Sequence, residues 1–84
     1  MIFDFSAEAA KHLEFWRRSD PSKLKRIKAI MQAIEVDPFK GMGKPEPLKH
    51  QLAGWWSRRI DQTHRFVYRI EGDRCKVLSC RFHY

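Results

Sequence analysis

The chain has no apolar run approaching the roughly 18–20 residues that a membrane-crossing helix needs. Its opening stretch, MIFDFSAEAAKH, carries acids where a signal peptide carries bases, and it has no long apolar segment. A cytoplasmic protein with no membrane partner is the expectation. Internal repeats and linkers are missing, so residues 1–84 read as one domain. There are only two cysteines, Cys75 and Cys80. Strand alternation would put them on opposite faces, unable to pair within one copy, as reduced packing residues. Recognisable cofactor and metal motifs are missing too. The segment GMGK lacks the G-x-x-x-x-G-K-[ST] pattern of a phosphate loop, and Pro45 follows it. Cys75, Cys80 and His83 fit no zinc spacing. Ser57 and Ser79 have no carboxylate placed to orient a histidine. No metal and no cofactor is expected.

Acidic residues are also scarce. Ten Asp and Glu stand against 17 Lys and Arg, a formal net charge of +7. Such a field favours nucleic acid, an anionic surface or an acidic partner. Hydrophobic residues make up 43% of the chain, enough for a core. An 84-residue chain buries only about two-thirds of its unfolded surface, so a modest stability margin is expected.

The pattern along the chain predicts an α+β fold. IFDF reads as a short first strand. Ser6 is a candidate N-cap, with Ala9, Leu13 and Trp16 at helical spacing behind it. Asp20 and Pro21 open a second helix with the stripe Leu24, Ile27, Ile30, Met31 and Ile34, which ends before Asp37-Pro38. GMGKPEPLKHQLAG is too rich in Gly and Pro for regular structure, and a loop this long in a small domain points to function. WWSRRI, RFVYRI and RCKVLSCRFHY then alternate as strands, with EGD as a hairpin turn. Two N-terminal helices packed on a twisted antiparallel sheet follow from this order.

Alternation also sorts the side chains. Phe66, Tyr68 and Ile70 share one face, as do Leu78, Cys80 and Phe82, and these go under the helices. Arg59, Arg65, Arg69, Arg81 and His83 are left on one open cationic face. The last hairpin runs antiparallel, so Arg65 and His83 are expected side by side. The two prolines of KPEPLKH frame Glu46, which supplies a carboxylate. Glu46, Arg65 and His83 suit phosphodiester cleavage in RNA. One group takes the ribose 2′-OH proton, a cation holds the transition-state charge, and one protonates the leaving 5′-oxygen. Trp55 and Trp56 are candidates for base stacking, with one of them core. His12, His50 and His64 have no evident partners and read as surface or capping residues. The residues alone leave other readings open: Glu46 paired with Lys44 or Lys49, Arg65 in a structural ion pair, or a basic face that binds RNA or an acidic partner without cutting.

The stretch PFKGMGKPEPLKHQLAGWWSRRIDQTHRFVYRI and the terminal CRFHY resemble the YoeB toxins of the RelE superfamily. The likeness spans nearly the whole chain and is densest from Pro38 to Tyr84. The resemblance implies a microbial-ribonuclease-like fold and a toxin of a type II toxin–antitoxin system. It implies cleavage of mRNA in the ribosomal A site, a block of translation, and neutralisation by a YefM/Phd-type antitoxin. Operator DNA would be bound only through the antitoxin complex, and a homodimer is possible. Carried over residue by residue, the general base falls on Glu46, the transition-state arginine on Arg65 and the catalytic histidine on His83. The terminal tyrosine falls on Tyr84, and supporting phosphate contacts on Lys49 and Arg59. Thr63 stands where relatives often have an acid. The alternative function is a non-catalytic RNA-binding or antitoxin-binding corepressor module.

Overall fold

Helix boundaries follow local chemistry. The computed structural model describes residues 1–82, and its first helix, α1 (Ala7–Ser19), begins where Ser6 Oγ accepts the Ala9 N–H at 3.0 Å. The same Ser6 hydroxyl donates to the Leu78 carbonyl at 2.8 Å, tying the helix start to the sheet. Helix α2 (Pro21–Val36) has Pro in its first turn and Asp20 Oδ1 accepting from the Ser22 N–H at 3.1 Å. It stops before Pro38, as expected of a residue held extended by the following proline.

The strands are β1 (Ile2–Phe5), β2 (Glu46–Pro47), β3 (Trp56–Arg59), β4 (Arg65–Glu71) and β5 (Arg74–Ser79), in the sheet order β1-β5-β4-β3-β2. All neighbours are antiparallel except β1, which runs parallel to β5. The expected α+β fold is therefore present, with five strands. The extra strand is β2, in the segment read as wholly irregular. Its two residues pair with Trp56 and Ser57 at the sheet edge, where Pro47, lacking an N–H, is tolerated. His50–Leu52 of the same segment form a short 3₁₀ turn.

Both helices bury their apolar stripes against one sheet face. Ala9, Trp16, Ile27, Ile30 and Ile34 meet Ile60, Phe66, Tyr68, Cys75, Val77 and Cys80 there. One part of the alternation differs from expectation. Tyr68 pairs with Val77 but Val67 pairs with Ser79, so the ladder shifts by one residue at Leu78. This bulge reverses the phase of β5. Cys75 and Val77 point into the core before it, and Cys80 points into the core after it. Leu78 does not take the core place expected of it. The two cysteines thus share a face rather than opposing one another, and both are free and buried. Burial pushes each thiol up to about 12, so both stay protonated. No helix among the described residues is long and apolar enough to cross a membrane.

Candidate functional site

Strand register gathers much of the predicted site. Glu46 pairs with Ser57, Ser57 with Val67, and Arg59 with Arg65. Paired residues point to the same side of a sheet, and so do residues two apart along a strand. Glu46, Arg59, Arg65 and Arg69 therefore lie on the face away from the helices. Two strand spacings and two residues separate Glu46 from Arg65, roughly 12 Å between Cα atoms. Directly opposed like charges are unfavourable, yet neither Arg59 nor Arg65 has a carboxylate partner among the described residues. Two opposed arginines with no carboxylate partner among the described residues make this a candidate site for an anion.

Each side chain is held differently. Arg65 turns one end of its guanidinium back onto its own turn. Nη1 donates to the carbonyls of Asp61, Gln62 and His64 at 2.9, 3.2 and 3.2 Å. Glu46 is exposed and forms no ion pair with Lys44 or Lys49 among the described residues. Its segment is bracketed by two non-glycine residues in the left-handed region, Lys44 at φ 52° and His50 at φ 57°. Such residues each cost about 1–2 kcal/mol and favour a fixed course for the chain. Lys49 is exposed. Arg69 is half-neutralised by Glu71, whose carboxylate lies 3.4 Å from Arg69 Nε and 3.6 Å from Lys76 Nζ. Trp56 packs against Phe39 with ring centroids 4.7 Å apart and planes tilted by 43°, beside the core, while Trp55 lines a shallow groove with Asp4, Lys76 and Leu78.

Arg81 is not where alternation predicted. Its guanidinium lies 3.5 Å from the centroid of the Phe15 ring on α1 and 4.5 Å from that of Phe82. The bulge and the end of β5 at Ser79 break the alternation before Arg81 is reached, so it packs toward the helix instead of joining the cationic face. The centre of that face is also sealed: Val67, between Arg65 and Arg69, is fully buried. His83 and Tyr84 lie outside the described residues. The chain leading to them does run beside the start of β4, because Arg65 N–H donates to the Phe82 carbonyl at 2.8 Å.

Three side chains escaped the sequence reading. Arg58 is fully buried. Its Nε donates to Tyr68 Oη at 3.1 Å, Nη1 to the Met42 carbonyl at 3.0 Å, and Nη2 to those of Asp37 and Lys40 at 2.6 and 3.0 Å. It anchors the segment that leads into Glu46. Gly43 belongs to the same junction. It sits at φ +86°, and a Cβ there would come within 3.1 Å of Arg58 Cβ and 3.2 Å of Arg59 N. The only sequence signal for Arg58 was its parity with Trp56 and Ile60, which face the core. His12 and His64 are the other two. Both were read as surface or capping residues, yet His12 is 5% exposed and His64 half-buried.

His12 carries a pH dependence. Its Nδ1 accepts the Cys80 N–H at 3.2 Å, so the neutral ring is the one that fits. Burial depresses its pKa below 6.5, with Glu8 opposing and Arg81 and His64 reinforcing. A depressed folded value means that the unfolded chain takes up the proton first. The stabilising contribution is then complete above the unfolded value and lost as pH falls through the folded one. Thermal unfolding should therefore show a midpoint that drops between pH 7.5 and pH 5. His12→Asn, which keeps an acceptor but does not titrate, should flatten that limb. Equal slopes for the two proteins would contradict this role.

Two N-terminal helices on one side of a five-stranded, mostly antiparallel sheet are the fold of the RelE-like toxin class. A family model for the YoeB-like toxin of bacterial type II toxin-antitoxin systems matches residues 5–84. Toxin YoeB of Streptomyces coelicolor is 45% identical over 84 residues, covering 100% of both chains. The solved YoeB/ParE toxin from Agrobacterium tumefaciens is 44% identical with a TM-score of 0.96, covering 100% of both chains. The YoeB of a heterotetrameric YoeB-YefM toxin-antitoxin complex from Staphylococcus aureus is 34% identical with a TM-score of 0.92, covering 100% of this chain and 98% of that one. A YoeB dimer from the same organism is 34% identical with a TM-score of 0.94, at the same coverage. The chain belongs to the YoeB-like toxins of bacterial type II toxin–antitoxin systems.

Proposed function

We propose that this toxin is a ribosome-dependent endoribonuclease that cuts mRNA in the A site and so blocks translation. The observation that carries the reading is the pair Arg59–Arg65, opposed without a counter-ion among the described residues, on the face that also holds Glu46. A phosphodiester seated there would be neutralised by both guanidiniums, with Lys49 at the margin. Glu46 takes the proton from the ribose 2′-OH, and the 2′-oxygen attacks the adjacent phosphorus. Arg65 stabilises the five-coordinate phosphorane, and His83 gives a proton to the leaving 5′-oxygen. Tyr84 positions the nucleotide beside it. The bond from phosphorus to the 5′-oxygen breaks, leaving a 2′,3′-cyclic phosphate and a 5′-hydroxyl. No step calls for a metal. An acid or base of this kind contributes ~10²–10⁴-fold, and preorganised charge at the developing anion a few kcal/mol. Arg69 adds long-range attraction for the strand; Arg81, stacked on Phe15, is left out of the phosphate set.

The natural partner is a YefM/Phd-type antitoxin whose acidic segment covers or borders the cationic face. The existence of a YoeB-YefM complex for a relative supports this, and a relative's dimer supports self-association. Operator DNA would be reached through that complex, in the cytoplasm. The decisive experiment is in-vitro translation with and without the purified protein, mapping message 5′ ends by primer extension. New ends at A-site codons, absent when ribosomes are omitted, are expected. Equal cutting of free and ribosome-bound message would overturn the ribosome dependence. No cutting with translation still blocked would favour a non-catalytic binder.

A further inference from the structure

Beyond Ser79 the chain leaves the β-ladder, and its backbone groups must find other partners or lose hydrogen bonds. They find side chains. Cys80 N–H donates to His12 Nδ1 at 3.2 Å, and the Cys80 carbonyl accepts from Trp16 Nε1 at 2.8 Å. Phe82 N–H donates to His64 Nδ1 at 2.8 Å, and the Phe82 carbonyl accepts from the Arg65 N–H at 2.8 Å. Phe82 itself sits at φ 67°, a left-handed backbone that a bulky residue rarely adopts. An outlier of this kind persists only where its surroundings over-determine it. Here both of its backbone hydrogen-bonding groups are taken. Its half-exposed ring does not compel the conformation by burial.

His64 is itself firmly placed. Its backbone N–H donates to Asp61 Oδ1 at 2.6 Å, and its carbonyl accepts from the Ile60 N–H at 2.9 Å. Its ring stands edge-on to Trp16 with centroids 4.8 Å apart. Asp61 is anchored in turn by Lys23 of α2 at 3.0 Å. Burial would raise the Asp61 carboxyl, but the His64 and Thr63 N–H groups and Lys23 outweigh it and hold it at about 2. A line of contacts therefore runs from α2 through the β3–β4 turn to Phe82, the residue from which the last two extend.

We propose that His64 is a positioning residue for the chain terminus. Its imidazole, with hydrogen on Nε2 and the lone pair on Nδ1, holds Phe82 in its left-handed conformation and so sets where the next residue can act. The proposal rests on the reading of His83 as proton donor. It gives the segment two imidazole anchors, His12 and His64, whose work is to accept backbone N–H groups rather than to handle substrate protons.

Three substitutions test it. His64→Phe keeps a ring against Trp16 but removes the acceptor. His64→Asn puts an amide oxygen near the place of Nδ1. His64→Gln puts it one bond further out, near the place of Nε2. Amide hydrogen exchange on the purified full chain reads the anchor without reference to activity. The Phe82 amide should exchange at least about 10-fold faster in His64→Phe and His64→Gln and stay close to wild type in His64→Asn. Single-turnover cleavage of ribosome-bound message should fall by roughly 10–100-fold in His64→Phe and His64→Gln, with half-saturation changed less than about 3-fold, since misplacement of about 1 Å acts on rate. His64→Asn should recover to within about 5-fold. If His64→Phe does not fold, the Asn–Gln contrast decides. Unchanged Phe82 exchange in the variants lacking the acceptor, or equal cleavage by Asn and Gln variants, overturns the proposal. A wild-type chain that does not cut would instead refute the nuclease reading, and Phe82 exchange would still decide whether His64 anchors the terminus.

Discussion

His83→Gln is expected to slow single-turnover cleavage of ribosome-bound message by ~10²–10⁴-fold, the usual contribution of a general acid. Glutamine keeps a hydrogen-bonding group of similar reach but cannot donate a proton at neutral pH. Glu46→Gln should fall in the same range for the complementary reason: it cannot accept one. The two should not multiply fully in a double variant, because both serve one transition state and such effects are non-additive. Removing Tyr84 alone should cost about one to two decades, a stacking or hydrogen-bond contribution of ~1–3 kcal/mol. Deleting residues 83 and 84 together should abolish toxicity and leave circular dichroism unchanged, because the core cluster among the described residues already joins both helices to the sheet. A truncated chain that folds and cuts at the wild-type rate would refute the mechanism outright.

Arg58→Met is expected to be the most destabilising single change. The guanidinium is fully buried, with no carboxylate against it among the described residues. What makes that tolerable is four donations, three to carbonyls and one to a phenol. Methionine fills much of the volume but leaves the carbonyls of Asp37, Lys40 and Met42 without that donor. Tyr68 Oη would still donate to the Pro38 carbonyl but would lose the hydrogen bond it accepts. Breaking a buried charged network in this way costs ~3–5 kcal/mol. In a domain of this size that is a large part of the total, and the thermal midpoint should drop by roughly 15 °C or more. Arg58→Lys should recover little, because three donors at one point cannot reach groups arranged around a planar fork. A midpoint within 3 °C of wild type for Arg58→Met would show that the loop carbonyls are satisfied without it. Because the clasped segment leads into Glu46, partial rescue of folding at low temperature should still leave cleavage impaired.

Both predictions separate what could be read along the chain from what could not. The helix starts were legible at Ser6 and at Asp20-Pro21, since capping depends on residues two or three apart. The core face of β4 was legible because Phe66, Tyr68 and Ile70 alternate without interruption. The placement of Arg59 and Arg65 on the opposite face needed only that same period, whereas Glu46 joined them through a β2–β3 pairing in a segment read as irregular. The family resemblance named roles that periodicity could not, and the match over residues 5–84 makes the family plain.

The sequence by itself determined the fold class, the helix limits and the basic character of the sheet, because each depends on short-range patterns or on composition. Tertiary structure alone decided the rest. The bulge at Leu78 turned Cys75 and Val77 inward, since one extra residue in a ladder reverses every side chain beyond it. Arg81 left the open face for Phe15 because the strand had already ended. Arg58 became a core residue because carbonyls 16 to 21 residues earlier in the chain came to meet it. His12 and His64 became anchors of the terminus because N–H groups 68 and 18 residues away lost their ladder partners beside them. Each of these outcomes turns on a hydrogen bond or a register between distant segments. A local pattern carries no information about such a partner until the chain has folded.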